Sequence, residues 1–581
     1  MKIWNPIKVI PLTLVTDDSF GTRMYYEDLG PYQCYTWLVT DDISGTPSSL
    51  LTRGHACVRC RQLKRRCSGT RPVCRQCELS NASDECEYLG RNDRTRSTIL
   101  QEEIDRLQNR LLQLEHPGEA QGGGIPLHQP YVSPDQGSNP ALSDLQKRNL
   151  IDHFLNAGPL ELGFFLHPGR FRTSALLPYP DGHPLKPTGS LMDAIYLWGL
   201  HLSPDSPEQQ KELLFDHARL DVASALSGDH PNKILHTVQS LILLARYCFV
   251  NLKHLEGRCH IGHAVSIIRA CGFGSIRSNR TSSFISQIAP PVDIIEEGER
   301  IMSMHFATST SKCWAVILDV LADVDSLSNP HSPQPDTPWP QEPEVYEQGG
   351  DFLAEGYSFT LVNFMKGIPT LDRGDSSLAM LAKAIVCWHR ANTVAKCIEF
   401  HMKNVSLSQD HSDQMISAYT ECRQCIANFL PTITEARNLY RPTPAKAVIL
   451  LEARSIAHAA NITAASIFPF LADADSTERA RSSLISARTI LDLLNSPTLG
   501  GLQHINPVMG EIWQLSYRLL VEDLKRKISM GGTRDLGQRQ LENSLKMGTT
   551  VIDRLSKTSL FIKSRLDIIR GYLSTVEIDP Y

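Results

Sequence analysis

Residues 55–86 read HACVRCRQLKRRCSGTRPVCRQCELSNASDEC and carry six of the 15 cysteines of the 581-residue chain. Their spacing is C-x2-C-x6-C-x6-C-x2-C-x8-C, which divides the stretch into two similar halves. A C-x2-C pair brings two sulfurs to one side of a turn, where both can bind the same metal ion. The candidate metal ligands are Cys57, Cys60, Cys67, Cys74, Cys77 and Cys86.

A count of metal bonds favours two zinc ions over one. One tetrahedral zinc needs four ligands and would leave two of the six cysteines unused. Two zinc ions need eight bonds, which six sulfurs supply if Cys57 and Cys74 are each shared between both ions. Two disulfides, a single four-cysteine zinc ribbon and an iron–sulfur cluster are the alternatives. Soft thiolate ligands and the lack of a secretory signal favour zinc.

Charge is distributed unevenly along the chain. The net charge of −5 argues by itself against a nucleic-acid-binding protein, and 41% hydrophobic residues are enough for a large core. Residues 53–75, however, contain eight Lys or Arg and no Asp or Glu. This pattern predicts a small anion-binding module joined to a larger, nearly neutral body.

No transmembrane helix is predicted. The most apolar stretch, residues 234–250, is interrupted by His236, Gln239 and Arg246 and is expected to be a core helix. Helical periodicity predicts an all-α body, with helices near 145–156, 190–201, 206–226, 235–250, 257–271, 298–322, 377–403, 445–466, 478–494, 511–527 and 537–570. Ser206 is the expected N-cap of the third of these.

A short heptad pattern follows the cysteines. Apolar residues recur at spacings of four and three, as in a parallel two-stranded coiled coil, and the predicted dimerisation residues are Leu100, Ile104, Leu107, Leu111 and Leu114. The alternative is one amphipathic helix packed on its own body. The pattern covers barely two heptads, so the helix alone would be marginally stable.

The segment from His55 to Cys67, with Pro72 before Cys74, resembles the DNA-binding domain of fungal binuclear zinc cluster transcription factors. Val58 and Ser68 stand where that family often has an acid, and Leu63 stands where many members have a second basic residue. The resemblance implies two Zn²⁺ per chain, a nuclear location, and homodimers on double-stranded DNA.

In that family the first short helix points its end into the major groove, and Lys64 matches the principal base-contacting position. Lysine can donate to guanine O6 and N7, so the resemblance implies CGG half-sites. The remaining predicted contacts are to phosphates, from Arg61, Arg65, Arg66, Arg71 and Arg75.

The body resembles the fungal-specific regulatory domain in three places: GFFLHPGRF at 163–171, KCWAV at 312–316 and TPWP at 337–340. The resemblance implies a regulator of RNA polymerase II genes that contacts the transcription machinery and is able to respond to a small-molecule effector. Cys422-x2-Cys425 and the trio of Cys259, His260 and His263 look like metal motifs, but packing roles are favoured. No nucleotide-binding or hydrolase motif occurs, so no enzymatic activity is expected.

The predicted organisation is mainly α: a poorly ordered extension (1–52), the zinc module (53–89), a linker (90–97), the dimerisation helix (98–116), a flexible linker (117–142) and an all-α regulatory domain (143–581). The alternative function is a zinc-bearing scaffold that acts through protein contacts without specific DNA binding.

Overall fold

The computed structural model describes residues 56–83, 86, 88, 142–203, 206–278, 289–319, 336–349, 360–404, 409–439, 443–466, 476–529 and 535–578. The chain divides into two compact units, residues 1–136 and 137–581. The extension predicted over 1–52, both predicted linkers up to residue 141, and the heptad pattern from Leu100 to Leu114 lie outside the described residues.

The described part of the first unit contains two short helices, α1 (Val58–Gln62) and α2 (Arg75–Leu79). Each begins after a cysteine whose sulfur accepts a hydrogen bond from a backbone N–H at 3.4 Å: Cys57 from Cys60, and Cys74 from Cys77. Five-residue helices are unstable alone in water because helix nucleation is unfavourable. Both helices therefore depend on the buried cysteines that they bring together.

The two halves of this unit repeat each other at a spacing of 17 residues. Beyond α1, the N–H of Arg65 donates to the carbonyl of Cys60 at 2.9 Å. Beyond α2, the N–H of Ala82 donates to the carbonyl of Cys77 at 3.0 Å. The same backbone turn therefore ends both helices.

The second unit has sixteen α-helices among its described residues. They are α3 (Asp144–Asn156), α4 (Pro168–Ala175), α5 (Gly189–His201), α6 (Glu208–Ser224), α7 (Lys233–Val250), α8 (His254–Ala270), α9 (Ile294–Ile317), α10 (Pro343–Glu347), α11 (Thr360–Lys366), α12 (Ser377–Asn404), α13 (Gln409–Leu439), α14 (Pro444–Ser466), α15 (Ser476–Leu494), α16 (Val508–Ser529), α17 (Leu536–Leu555) and α18 (Leu560–Ser574). No strand occurs in the described residues, and the prediction of a mainly α fold is confirmed.

Helix α7 forms the centre of the second unit, and every residue from Leu235 to Val250 is buried. It packs on α5 and α8; α9 packs on α8 and α12; α14 lies against α12, α13 and α15. Of the described helices, only α7 is long and apolar enough to cross a membrane, and 89% of it is buried inside the unit. This burial agrees with the prediction that residues 234–250 form a core helix.

Residues 163–171 dock on α7 through Gln239. Its amide accepts from the N–H of Phe165 at 2.7 Å and donates to the carbonyl of Gly163 at 3.0 Å. Gly163 has a φ of +86°, and a Cβ there would lie 2.7 Å from Nε of Arg246. This turn therefore requires glycine, because a side chain would be both strained and in collision.

The structure corrects several helix predictions. The helix predicted over 537–570 is two, because the 3-10 turn Ser556–Thr558 intervenes and Ser559 caps α18 by accepting from the N–H of Ile562 at 3.2 Å. Ser206 is not the N-cap of α6, which begins at Glu208 after Pro207. The sequence pattern does not predict α4, α10, α11 or α13.

Candidate metal centre and nucleic-acid interface

Five of the six cysteines of the first unit are buried, and Cys86 is half-buried. The Sγ of Cys57 lies 3.8 Å from that of Cys74 and 3.7 Å from that of Cys77. The Sγ of Cys60 lies 3.6 Å from that of Cys74. All four of these sulfurs lie within 4.8 Å of one another, so the two pairs form one cluster across the halves.

The third cysteine of each half, Cys67 or Cys86, packs with this cluster. The Sγ of Cys86 accepts a hydrogen bond from the N–H of Cys74 at 3.1 Å. The Sγ of Cys67 lies 3.6 Å from the hydroxyl of Tyr88, which donates to the carbonyl of Thr70 at 2.9 Å. Tyr88 was not among the predicted site residues; its only signal in the sequence is its place two positions after the last cysteine.

Burial and the contacts between neighbouring thiols shift the pKa values of the cysteines. Burial raises the pKa of Cys57, and it raises that of Cys60 to about 12. Burial also acts to raise the pKa of Cys74, but the backbone N–H of Cys77 and the adjacent thiols lower it to about 6. A bound divalent cation favours the deprotonated form of such thiols, because the thiolate and not the thiol is the metal ligand.

The donor set fits zinc. The cluster is formed by sulfur alone, all six thiols are free rather than paired in disulfides, and burial shields five of them from water. Thiolates in a tetrahedral arrangement favour zinc over oxygen-seeking cations. When bound, zinc supplies the cross-links that hold the two halves together.

Lys64 lies at the end of α1 in a left-handed backbone conformation, with a φ of +51°. The corresponding residue of the second half is Asn81, with a φ of +48°. Asparagine tolerates this conformation, whereas lysine seldom adopts it. The Lys64 side chain is exposed and forms no ion pair with any residue of the described part of the unit. Lysine is therefore an unusual residue for this turn.

The other predicted DNA contacts are also at the surface. Arg61 donates to the carbonyl of Ala56 at 3.0 Å, and the guanidinium of Arg71 lies 5.0 Å from the centre of the Tyr88 ring. The remaining three predicted phosphate contacts are exposed: Arg65, Arg66 and Arg75.

Basic charge is concentrated in the first half of the repeat. In the second half, the residues that correspond to Arg61, Lys64, Arg65 and Arg66 are Glu78, Asn81, Ala82 and Ser83. The same backbone turn thus occurs in both halves. Only the first copy carries a basic tip, which is formed by Lys64, Arg65 and Arg66.

These features define a small two-metal, six-cysteine module with a basic surface. Residues 55–95 match the fungal Zn(2)-Cys(6) binuclear cluster domain, so the chain carries this domain and binds two zinc ions through it. The domain is characteristic of DNA-binding transcription regulators, which are not enzymes. No curated protein matches the chain, and no solved structure does.

The described residues of the second unit do not bring the other candidate residues into a metal-binding group. The Sγ of Cys425 lies 3.9 Å from that of Cys387, but these thiols belong to no group of three metal-binding side chains among the described residues. The same holds for Cys259, His260 and His263 on α8. A group that the sequence does not reveal is Asp193, His217 and Asp221, in which Nδ1 of His217 lies 2.8 Å from a carboxylate oxygen of Asp193.

Proposed function

We propose that the protein is a zinc-dependent, sequence-specific regulator of genes transcribed by RNA polymerase II, and that it acts in the nucleus. The observation that carries the proposal is the basic tip of the first half. Lys64, Arg65 and Arg66 follow one another there, exposed, beside a buried cluster of thiols. Six thiolates with two zinc ions carry net negative charge, which this basic tip must outweigh to attract phosphate.

All six cysteines are the proposed zinc ligands, with Cys57 and Cys74 shared between the ions. Support comes from their positions: both are fully buried, both cap a helix, and each contacts both cysteines of the other half's C-x2-C pair. A shared sulfur must lie between two metals, and only a residue that touches both pairs can do so.

Lys64 is the proposed base-reading residue. In the major groove, the O6 and N7 atoms of guanine form an acceptor pair that an ammonium group can bind, so the half-site is of the CGG type. Phosphate contacts from Arg61, Arg65, Arg66, Arg71 and Arg75 then position the module and make its affinity depend on salt.

Residues 98–116 are the proposed dimerisation helix, through Leu100, Ile104, Leu107, Leu111 and Leu114. Residues 143–581 are the proposed regulatory domain, which contacts the transcription machinery. The described helices of the second unit share a large hydrophobic core, as a domain of this size needs.

Selection of binding sites from a random DNA pool tests the proposal. The full-length, zinc-loaded protein is equilibrated with the pool at two salt concentrations, with and without a chelator. Paired CGG triplets should be enriched, and the chelator should abolish enrichment. A folded protein with two zinc ions per chain that enriches no sequence would refute DNA reading and favour the zinc-bearing scaffold.

A further inference from the structure

A group of metal-binding side chains lies between two helices of the second unit, apart from the cysteine cluster. The ligand atoms of Asp193, His217 and Asp221 all lie within 4.8 Å of one another. Asp193 is on α5, and α6 carries the other two residues, which are four positions apart. Residues with this spacing share one face of a helix, so the packing of α6 on α5 brings the three side chains together.

The distances within this group are close to those in a metal site. Nδ1 of His217 lies 2.8 Å from a carboxylate oxygen of Asp193. Two ligands at about 2.0–2.2 Å from one tetrahedral zinc ion lie about 3.4 Å from each other, so these two atoms need to separate only slightly. The carboxylate of Asp221, within 4.8 Å of both, becomes a third ligand by a small side-chain rotation.

The group carries more negative than positive charge. Among the described residues, no lysine or arginine forms an ion pair with Asp193 or Asp221. Burial, reinforced by Asp221, raises the pKa of Asp193 to about 6, although His217 lowers it. Even a protonated imidazole leaves one of the two carboxylate charges unmatched. A divalent cation with a neutral imidazole balances both.

The group is open to solvent on one side. The side chain of His217 is 48% exposed, and that of Asp193 is 14% exposed. Gly189, at the start of α5, leaves room for Asp221, since a Cβ there would lie 3.1 Å from a carboxylate oxygen of Asp221. An ion can therefore reach the group from water, and water can complete its coordination.

The donor set selects among cations. Ca²⁺ and Mg²⁺ prefer ligands that are all oxygen, whereas an imidazole nitrogen favours zinc and its neighbours among the first-row metals. We propose that Asp193, His217 and Asp221 bind a third zinc ion, which links α5 to α6. The proposal is independent of DNA binding and of the cysteine cluster, because all three ligands belong to the second unit.

Metal analysis after equilibrium dialysis tests this proposal. The full-length protein with its two cluster zinc ions is dialysed at pH 7 against a series of buffered, micromolar concentrations of free Zn²⁺. The wild-type protein should take up one further zinc ion per chain, with a saturable dependence on free Zn²⁺. A protein that stays at two zinc ions throughout the series would overturn the proposal.

Three variants locate the third ion. His217→Gln and Asp221→Asn each remove one ligand at a partly exposed position, so both should keep the helical circular dichroism and the thermal unfolding of the wild type. Each should bind the third ion at least about tenfold more weakly, because even the loss of a hydrogen-bonding partner of a metal ligand costs roughly 10- to 100-fold in affinity.

His263→Gln is the matched control. His263 is an exposed histidine on α8 that belongs to no group of three metal-binding side chains among the described residues. Its loss should leave the uptake of the third ion unchanged. Equal effects of His217→Gln and His263→Gln would mean that zinc binds to surface histidines in general, and would refute the assignment of this site.

Discussion

Replacing Lys64 by glycine should stabilise the zinc module and weaken its specific DNA binding at the same time. The φ of +51° puts Lys64 in a conformation that costs an L-residue about 1–2 kcal/mol. Glycine removes that cost but gains freedom in the unfolded chain, worth about 0.4–1 kcal/mol. The net stabilisation is therefore between roughly zero and 1.6 kcal/mol.

The effect on DNA has the opposite sign. Loss of a lysine contact to guanine removes about 1–3 kcal/mol of discrimination, or roughly a 5- to 150-fold loss of affinity for the selected site. On random DNA the variant loses one mobile charge, and its affinity should fall much less.

The assay combines zinc retention under increasing chelator with fluorescence anisotropy on a selected and a scrambled duplex. Asn81→Gly is the control for the backbone, since the same turn occurs in the half without the basic tip. Arg65→Ala is the control for charge, and it should weaken both duplexes alike and reduce the salt slope by about 1. Equal losses on both duplexes with Lys64→Gly would refute base reading, and earlier loss of zinc would refute the backbone argument.

Three further outcomes are expected. Cys57→Ala should lose zinc and the structure of residues 56–88, because a shared ligand serves both ions; a variant that keeps two zinc ions by metal analysis would disprove the sharing. Gly298→Ala should lower the free energy of unfolding by about 1–3 kcal/mol in urea, since its Cβ would lie 2.6 Å from the ring of Tyr346. Gly262→Ala, with open space around it, should instead be neutral or stabilising by up to about 1 kcal/mol. The raised pKa of Glu161, about 8, means that the folded state keeps a proton that the unfolded state loses, so the contribution of this carboxyl to stability should fall as the pH rises from 5 to 8. Glu161→Gln should flatten that profile, and an unchanged slope would contradict the assignment.

The zinc module could be read from the sequence because metal chemistry constrains it so tightly. Six cysteines at short spacings leave few ways to satisfy tetrahedral ions, and the basic residues among them are visible by inspection. The left-handed conformation of Lys64 was not predictable, because no glycine or asparagine marks that turn. The contact of Tyr88 with Cys67 was not predictable either, because it depends on the path of the chain after the last cysteine.

The helical unit was predictable where periodicity is strong and caps are typical. Helix α13 does not emerge from the pattern because it contains Pro431, and proline normally ends a helix. The boundary between α17 and α18 lacks glycine and proline, and only the cap at Ser559 marks it. The group of Asp193, His217 and Asp221 depends on a contact between two helices, which no local pattern reports.

The repeated backbone turn with a single basic tip gives the zinc module a polarity. A DNA-binding module with two identical halves could bind the double helix in either of two orientations. This module has basic residues at the tip of one half only, so its two orientations are not equivalent. Under the proposed function, a module with one basic tip would bind its triplet in a single orientation. In the proposed dimer, the relative orientation of the two modules, and not Lys64 itself, would then select among inverted, direct and everted pairs of triplets.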